Sequence, residues 1–314
     1  MPKPATQFAQ VQAAAERIAP FIHRTPVATS ATLNRETGAE VFFKCENFQK
    51  VGAFKARGAM NSVLSLSDDD AARGVVTHSS GNHAAALAYA ASIRAISCTV
   101  VMPEDAPQVK VDAVRGYGSE IVFCKQLERE TATQTVIDET GATMIHPFNN
   151  RNVIAGQGTA ALELIEDAGD LDMVMTPVGG GGLLSGTSIT TRARLPRARI
   201  VGAEPFEVDD AYRSLEAGTI QPRVENPVTV ADGLLTALGD LTFATLQWAG
   251  VEIVRVGEDA IVDAALFHLN RIKILVEPSG ATGLAALRTF GDEIRGLRIG
   301  IIISGGNTDL HWLP

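Results

Sequence analysis

The sequence predicts an α/β fold of two open parallel-sheet domains. Three observations carry this. Val- and Ile-rich runs alternate with Ala-rich stretches, the pattern of strands buried on both faces and covered by helices. The loops that leave several of these runs are rich in Gly, Ser and Asn. The 314 residues also exceed one typical domain of ~100–200 residues.

In chain order the predicted strands are VFFK (41–44), GVVTH (74–78), SCTVVM (97–102), EIVFC (120–124), DMVMTPV (172–178), RIVGAE (199–204), EIVRV (252–256) and RIGIIIS (298–304). Helix-type segments include HAAALAYAASI (83–93) and GTAALELIEDAG (158–169). Right-handed crossovers would bring the strand C-termini to one edge, where open α/β sheets bind ligands. Breaks fall after ENFQK near residue 50 and at the polar, Pro-containing HPFNNRN near 148. They predict a large domain of residues 1–50 and 149–314 and a small inserted domain of residues 51–148.

Composition excludes several classes. Net charge is −9 and the pI is near 5.2, with no basic block, so nucleic acid is not an expected partner. No run of 18 apolar residues occurs, so no membrane association is expected. MPKPATQFAQ at the N-terminus has no apolar core of a secretory signal. Cys45, Cys98 and Cys124 sit in or beside β-type runs, which suits buried, reduced thiols and a cytoplasmic location.

Glycine is in excess, with 29 residues against a typical ~7%. Four lie together at Gly179–Gly182, between a predicted strand and a helix start. Free N–H groups there can converge on an anion, and phosphate is the natural one. The alternative is a flexible turn. The run matches neither a nucleotide P-loop nor a clean dinucleotide fingerprint. Lys55 is a lone cation between Phe54 and Ala56. It reads either as a surface residue or as a desolvated amine able to form a Schiff base. A phosphate cradle with such a lysine points to pyridoxal phosphate.

The segments FKARG (54–58), SSGNH (79–83), GGGGL (179–183) and SGGN (304–307) occur in that order. With them the sequence resembles the fold-type II pyridoxal-phosphate enzymes, whose fold is tryptophan synthase β-like. It is most similar to the serine racemase and serine/threonine dehydratase group, in the branch that includes 3-hydroxyaspartate dehydratases. The resemblance spans essentially the whole chain. It implies that Lys55 forms the Schiff base and then removes the substrate Cα proton. Asn82 would bond the cofactor 3′-oxygen, Gly179, Gly180, Gly181, Gly182 and Leu183 would form the phosphate loop, and Gly233 would lie against the ring. Ser304 would meet the pyridine nitrogen, where a neutral hydroxyl favours elimination over transamination. Ser79, Ser80, Gly81, Asn82 and His83 would bind the substrate carboxylate. Ser80 is also a candidate second acid–base on the face opposite Lys55, which racemisation requires.

Two further sites follow from the resemblance. Glu204, the Val208 carbonyl and Asp210 would hold a divalent cation, Mg²⁺ or Ca²⁺; the alternative is a solvated acidic face. Arg129 would hold a second substrate carboxylate and so favour 3-hydroxyaspartate; the alternative is a surface charge cluster. Ala53 and Ala85 depart from the family's usual Ser/Thr and Gln, which leaves the substrate open. The expected activity is dehydration and ammonia release from a small β-hydroxy amino acid by a homodimer. Amino-acid racemisation and non-catalytic binding of the cofactor or an amino acid are the alternatives.

Overall fold

The structure, a computed structural model, describes residues 2–79 and 81–313. Ten strands are present among them: β1 (Val27–Thr29), β2 (Glu40–Cys45), β3 (Val75–His78), β4 (Cys98–Pro103), β5 (Glu120–Cys124), β6 (Thr143–Met144), β7 (Met173–Pro177), β8 (Arg199–Pro205), β9 (Glu252–Val256) and β10 (Arg298–Ile303). They form a six-stranded sheet, ordered β1-β2-β10-β7-β8-β9, and a four-stranded sheet, ordered β5-β4-β3-β6. All pairings are parallel except β1 with β2. All eight expected runs are strands. β1 and β6 are additions; at three and two residues they are too short to leave an apolar run.

Burial follows position in the sheet. Ile299, Ile301, Ile302 and Ile303 of β10 and Met173, Val174 and Met175 of β7 are fully buried, as expected of central strands covered on both sides. The Arg151–Ala168 helix is the hub between the sheets. It approaches the Lys55–Leu64 helix where a Cβ on Gly156 would stand 2.6 Å from the Arg57 carbonyl. It meets the Gly182–Arg194 helix where a Cβ on Gly186 would stand 2.4 Å from the Gly158 nitrogen. Part of the glycine excess is thus helix crossing, a use the sequence pattern did not reveal.

Cys45, Cys98 and Cys124 are buried and unpaired. Burial pushes the Cys45 and Cys98 thiols up to about 11, so both stay protonated and inert. No helix among the described residues is long and apolar enough to cross a membrane.

Candidate active site

The two chain segments that carry Lys55 and Ser304 are joined directly. Ala53 and Gly305 form an isolated antiparallel bridge, and the Phe54 N–H donates to the Ser304 carbonyl at 3.0 Å. Lys55 therefore opens its helix at the C-terminal end of β10. Its Nζ donates to the Pro147 carbonyl at 2.9 Å and has no carboxylate partner among the described residues. Burial lowers the amine to about 8. A substantial uncharged fraction near neutral pH is what a nucleophilic lysine needs.

The first turn of that helix is anchored by Arg57. Its guanidinium, fully buried, is forked to Glu46 at 2.7 and 2.7 Å and to Glu163 at 2.8 and 2.8 Å. Lys44 Nζ meets the same Glu163 at 2.7 Å. The cluster ties the end of β2 and the Arg151–Ala168 helix to the residue two positions beyond Lys55. Arg57 stood in the FKARG motif, yet its partners are distant in sequence and gave no local signal.

Gly179–Gly182 joins β7 to the Gly182–Arg194 helix, whose first N–H groups have no intrahelical partner. Gly181 has φ +82°. A Cβ on Gly180 would stand 2.3 Å from the Phe148 ring, and one on Gly182 would stand 2.9 Å from Phe148 Cβ. A Cβ on Gly179 would lie 3.0 Å from Leu234 Cα. The loop is bare because its own surroundings leave no room for side chains at Gly179, Gly180 and Gly182. Leu183 is buried behind it. Gly233, beside Leu234, donates its N–H to Ser279 Oγ at 2.9 Å.

Asn82 opens the Asn82–Arg94 helix after β3. Its Nδ2 donates to Glu277 at 3.2 and 3.4 Å, and its Oδ1 accepts from Asn307 Nδ2 at 2.9 Å. Neither partner was singled out in the sequence. Asn307 was the last residue of SGGN, and Glu277 stands just before the Pro278–Thr289 helix.

The substrate-side candidates sit at the end of β3. Ser79 Oγ accepts from the Gly81 N–H at 3.3 Å, and a Cβ on Gly81 would meet nothing within 4 Å. Ser80 lies outside the described residues. His83 Nε2 donates to the Ile145 carbonyl at 3.0 Å; burial and the Lys55 charge push it down to about 3, so it is a neutral brace. His146 Nδ1 accepts from the Phe148 and Asn149 N–H groups at 3.3 and 2.9 Å. Its ring stands edge-on to His78 at 5.7 Å between centroids. Arg129 begins the Arg129–Thr140 helix. After burial, its charge is the main influence holding His78 below the usual imidazole value.

Glu204, Val208 and Asp210 are all buried. Glu204 accepts from the Ala211 and Tyr212 N–H groups at 2.9 and 3.0 Å, and Asp210 Oδ2 has no partner among the described residues. Burial pushes Glu204 up to about 8 and Asp210 up to about 7. No cluster of three or more His, Cys, Asp or Glu suited to a metal occurs among the described residues.

Two largely parallel sheets, a buried lysine of lowered pKa at the end of β10 and a glycine loop after β7 are the frame of a pyridoxal-phosphate enzyme. The chain belongs to the pyridoxal-phosphate dependent enzyme family, which matches it over residues 18–305. It is 50% identical to the serine racemase of Dictyostelium discoideum over 96% of this chain and 94% of that one. It is 49% identical to the beta-hydroxyaspartate dehydratase of Paracoccus denitrificans (strain Pd 1222) over 98% of both. The solved Dictyostelium discoideum serine racemase superposes with a TM-score of 0.93 at 49% identity, covering 98% of this chain and all of that one.

Proposed function

We propose that this enzyme is a dehydratase and ammonia-lyase acting on a small β-hydroxy amino acid, serine or threonine or 3-hydroxyaspartate. The observation that carries the reading is the Lys55 amine, held near 8 where the segments of Ser304, Asn82 and Gly179–Gly182 converge. Pyridoxal phosphate, when bound, supplies the electron sink that acidifies the substrate Cα–H. Lys55 Nζ would hold it covalently and, once the substrate amine has displaced the lysine, would take that proton. Amides of Gly179–Gly182 would hold the phosphate, with Leu183 and Gly233 nearby. Asn82 Nδ2, with one hydrogen on Glu277, would have the other for the 3′-oxygen. Ser304 would meet the pyridine nitrogen. Ser79, Ser80, Gly81, Asn82 and His83 hold the α-carboxylate, and Arg129 receives a second carboxylate where there is one. Cleavage of the Cβ–O bond, with the proton taken from Cα balancing the departing hydroxyl, releases water and leaves an enamine, which tautomerises and hydrolyses to a 2-oxo acid and ammonia.

The dehydratase reading is supported by the Paracoccus denitrificans relative. Serine racemisation is a second reading, favoured by the Dictyostelium discoideum relative and by a serine at position 80. We further infer a cation, Mg²⁺ or Ca²⁺, on Glu204, the Val208 carbonyl and Asp210, supported by the unpartnered Asp210 Oδ2. A homodimer in the cytoplasm, with a small domain of residues 51–148 inserted in a large one, completes the proposal. Reduced cysteines support the location, and the separate sheets support the division.

The purified protein is incubated with L-serine, L-threonine and both 3-hydroxyaspartate diastereomers, and 2-oxo acid and ammonia are measured. Oxo acid is expected from at least one, and none from Lys55→Ala, which also loses the visible cofactor band. D-serine from L-serine with no oxo acid from any substrate moves the assignment to racemase. Bound cofactor with no turnover of any kind leaves a binding protein.

A further inference from the structure

Glu277 is a buried carboxyl at this edge, 4% exposed, to which the chemistry above assigns no step. Its surroundings are built for it. A Cβ on Gly305 would come within 2.6 Å of Glu277 Oε1, so the glycine makes room for the carboxyl. Glu277 Oε2 accepts from the Asn307 N–H at 3.1 Å, and Asn82 Nδ2 lies 3.2 and 3.4 Å from the two oxygens. Asn307 Nδ2 reaches the Val51 carbonyl at 2.7 Å and Asn82 Oδ1 at 2.9 Å.

We propose that Glu277 is a positioning residue that acts through Asn82, its ionised carboxylate fixing which end of the Asn82 amide faces the cofactor. The inference rests on the pyridoxal-phosphate reading. The polarity follows from donor and acceptor types. A carboxylate only accepts, so the Asn82 nitrogen must face Glu277. The Val51 carbonyl only accepts, so Asn307 turns its nitrogen outward and donates to the Asn82 oxygen. Both ends of Asn82 are thereby set, and one Nδ2 hydrogen stays free to donate. A proton on Glu277 removes an acceptor site and places a donor opposite a donor. The nitrogen end of the amide then loses its acceptor, and Asn82 is held from its oxygen end alone, by Asn307.

The same carboxyl titrates in a useful range. Burial, opposed by the bond from Asn82, pushes Glu277 up to about 7. Two charged groups face it from neighbouring elements. Asp232, beside Gly233, raises it, and Lys110 on the Gln108–Gly116 helix lowers it. These two pair with each other at 3.2 Å on the surface. Removing Lys110 leaves the acid unopposed, and removing Asp232 does the reverse.

The test measures pyridoxal-phosphate affinity of cofactor-free protein from pH 5.5 to 8.5, for wild type and Glu277→Gln. The ratio of the two dissociation constants cancels titration of the cofactor and of Lys55. It is expected to be near one at pH 5.5 and to rise about tenfold by pH 8, the scale of one charge-assisted hydrogen bond. A pH-independent ratio overturns the proposal. A second measurement leaves Glu277 untouched: the pH midpoint of the bound cofactor's absorbance and induced circular dichroism. Lys110→Met is expected to move it up and Asp232→Asn to move it down, shifts that a purely structural role would not give. A midpoint unmoved by both overturns the proposal. Failure of wild type to bind the cofactor at any pH overturns this proposal and the functional reading together. Binding with a flat ratio overturns this one alone.

Discussion

Gly180 shows how tightly single residues set this site. Its missing Cβ would fall 2.3 Å from the Phe148 ring, well inside contact distance. Gly180→Ala is expected to displace the anion loop at an overpacking cost of about 1–3 kcal/mol. Cofactor affinity should fall roughly 10-fold or more, since ~1.4 kcal/mol is tenfold. Phe148→Ala in the same chain should restore much of the loss; equal losses in the single and double variants, by spectrophotometric titration, would refute steric coupling. The four glycines, Lys55, Asn82 and Ser304 were legible in sequence because each lies in a short motif. Phe148 was read only as part of a polar break, since a residue facing a distant glycine has no local signature. Arg57 and Glu277 escaped notice for the same reason: their partners come from other elements.

Among the elements, the turn after β8 makes the clearest chemical statement. Glu204 and Asp210 are held up to about 8 and 7 by burial, against ordinary values of ~4.3 and ~3.9 in an unfolded chain. Between those limits the folded state binds more protons, so this pair lowers stability as pH rises from about 4 to about 8. A divalent cation at the proposed site would replace the protons. Added Mg²⁺ or Ca²⁺ is therefore expected to raise the melting temperature more at pH 8 than at pH 6 and to release protons on binding, by calorimetry in two buffers. Both effects should vanish in Asp210→Asn. A cation effect independent of pH, or one that survives that change, would remove the pair from the cation site. The eight expected strands were legible because their Val- and Ile-rich runs stand out from the segments between them, in the central strands and in the edge strands β5 and β9 alike. β1 and β6 were not, because two or three residues cannot display a period. The crossing at Gly158 and Gly186 was hidden as well, since small residues in a helix look alike whether they face a neighbour or solvent.

The whole molecule depends on a late strand. β10 lies between β2 and β7, pairing Arg298 with Glu40 and Ile303 with Cys45. The six-stranded sheet cannot close from local contacts, and such distant pairing is slow. After dilution from urea, helical circular dichroism is expected to recover before the ability to bind pyridoxal phosphate. Recovery of both in one phase would contradict this order. The four-stranded sheet, by contrast, draws only on residues 75–144, so its pairings can form first.

The bridge between Ala53 and Gly305 has a consequence for the growing chain. At ~5–20 residues per second, roughly 10–50 s of translation separate the two residues. During that interval the lysine has left the ribosome while the strand that seats it has not been made. Cofactor binding at this site is therefore expected to wait until the segment carrying Gly305 has been made.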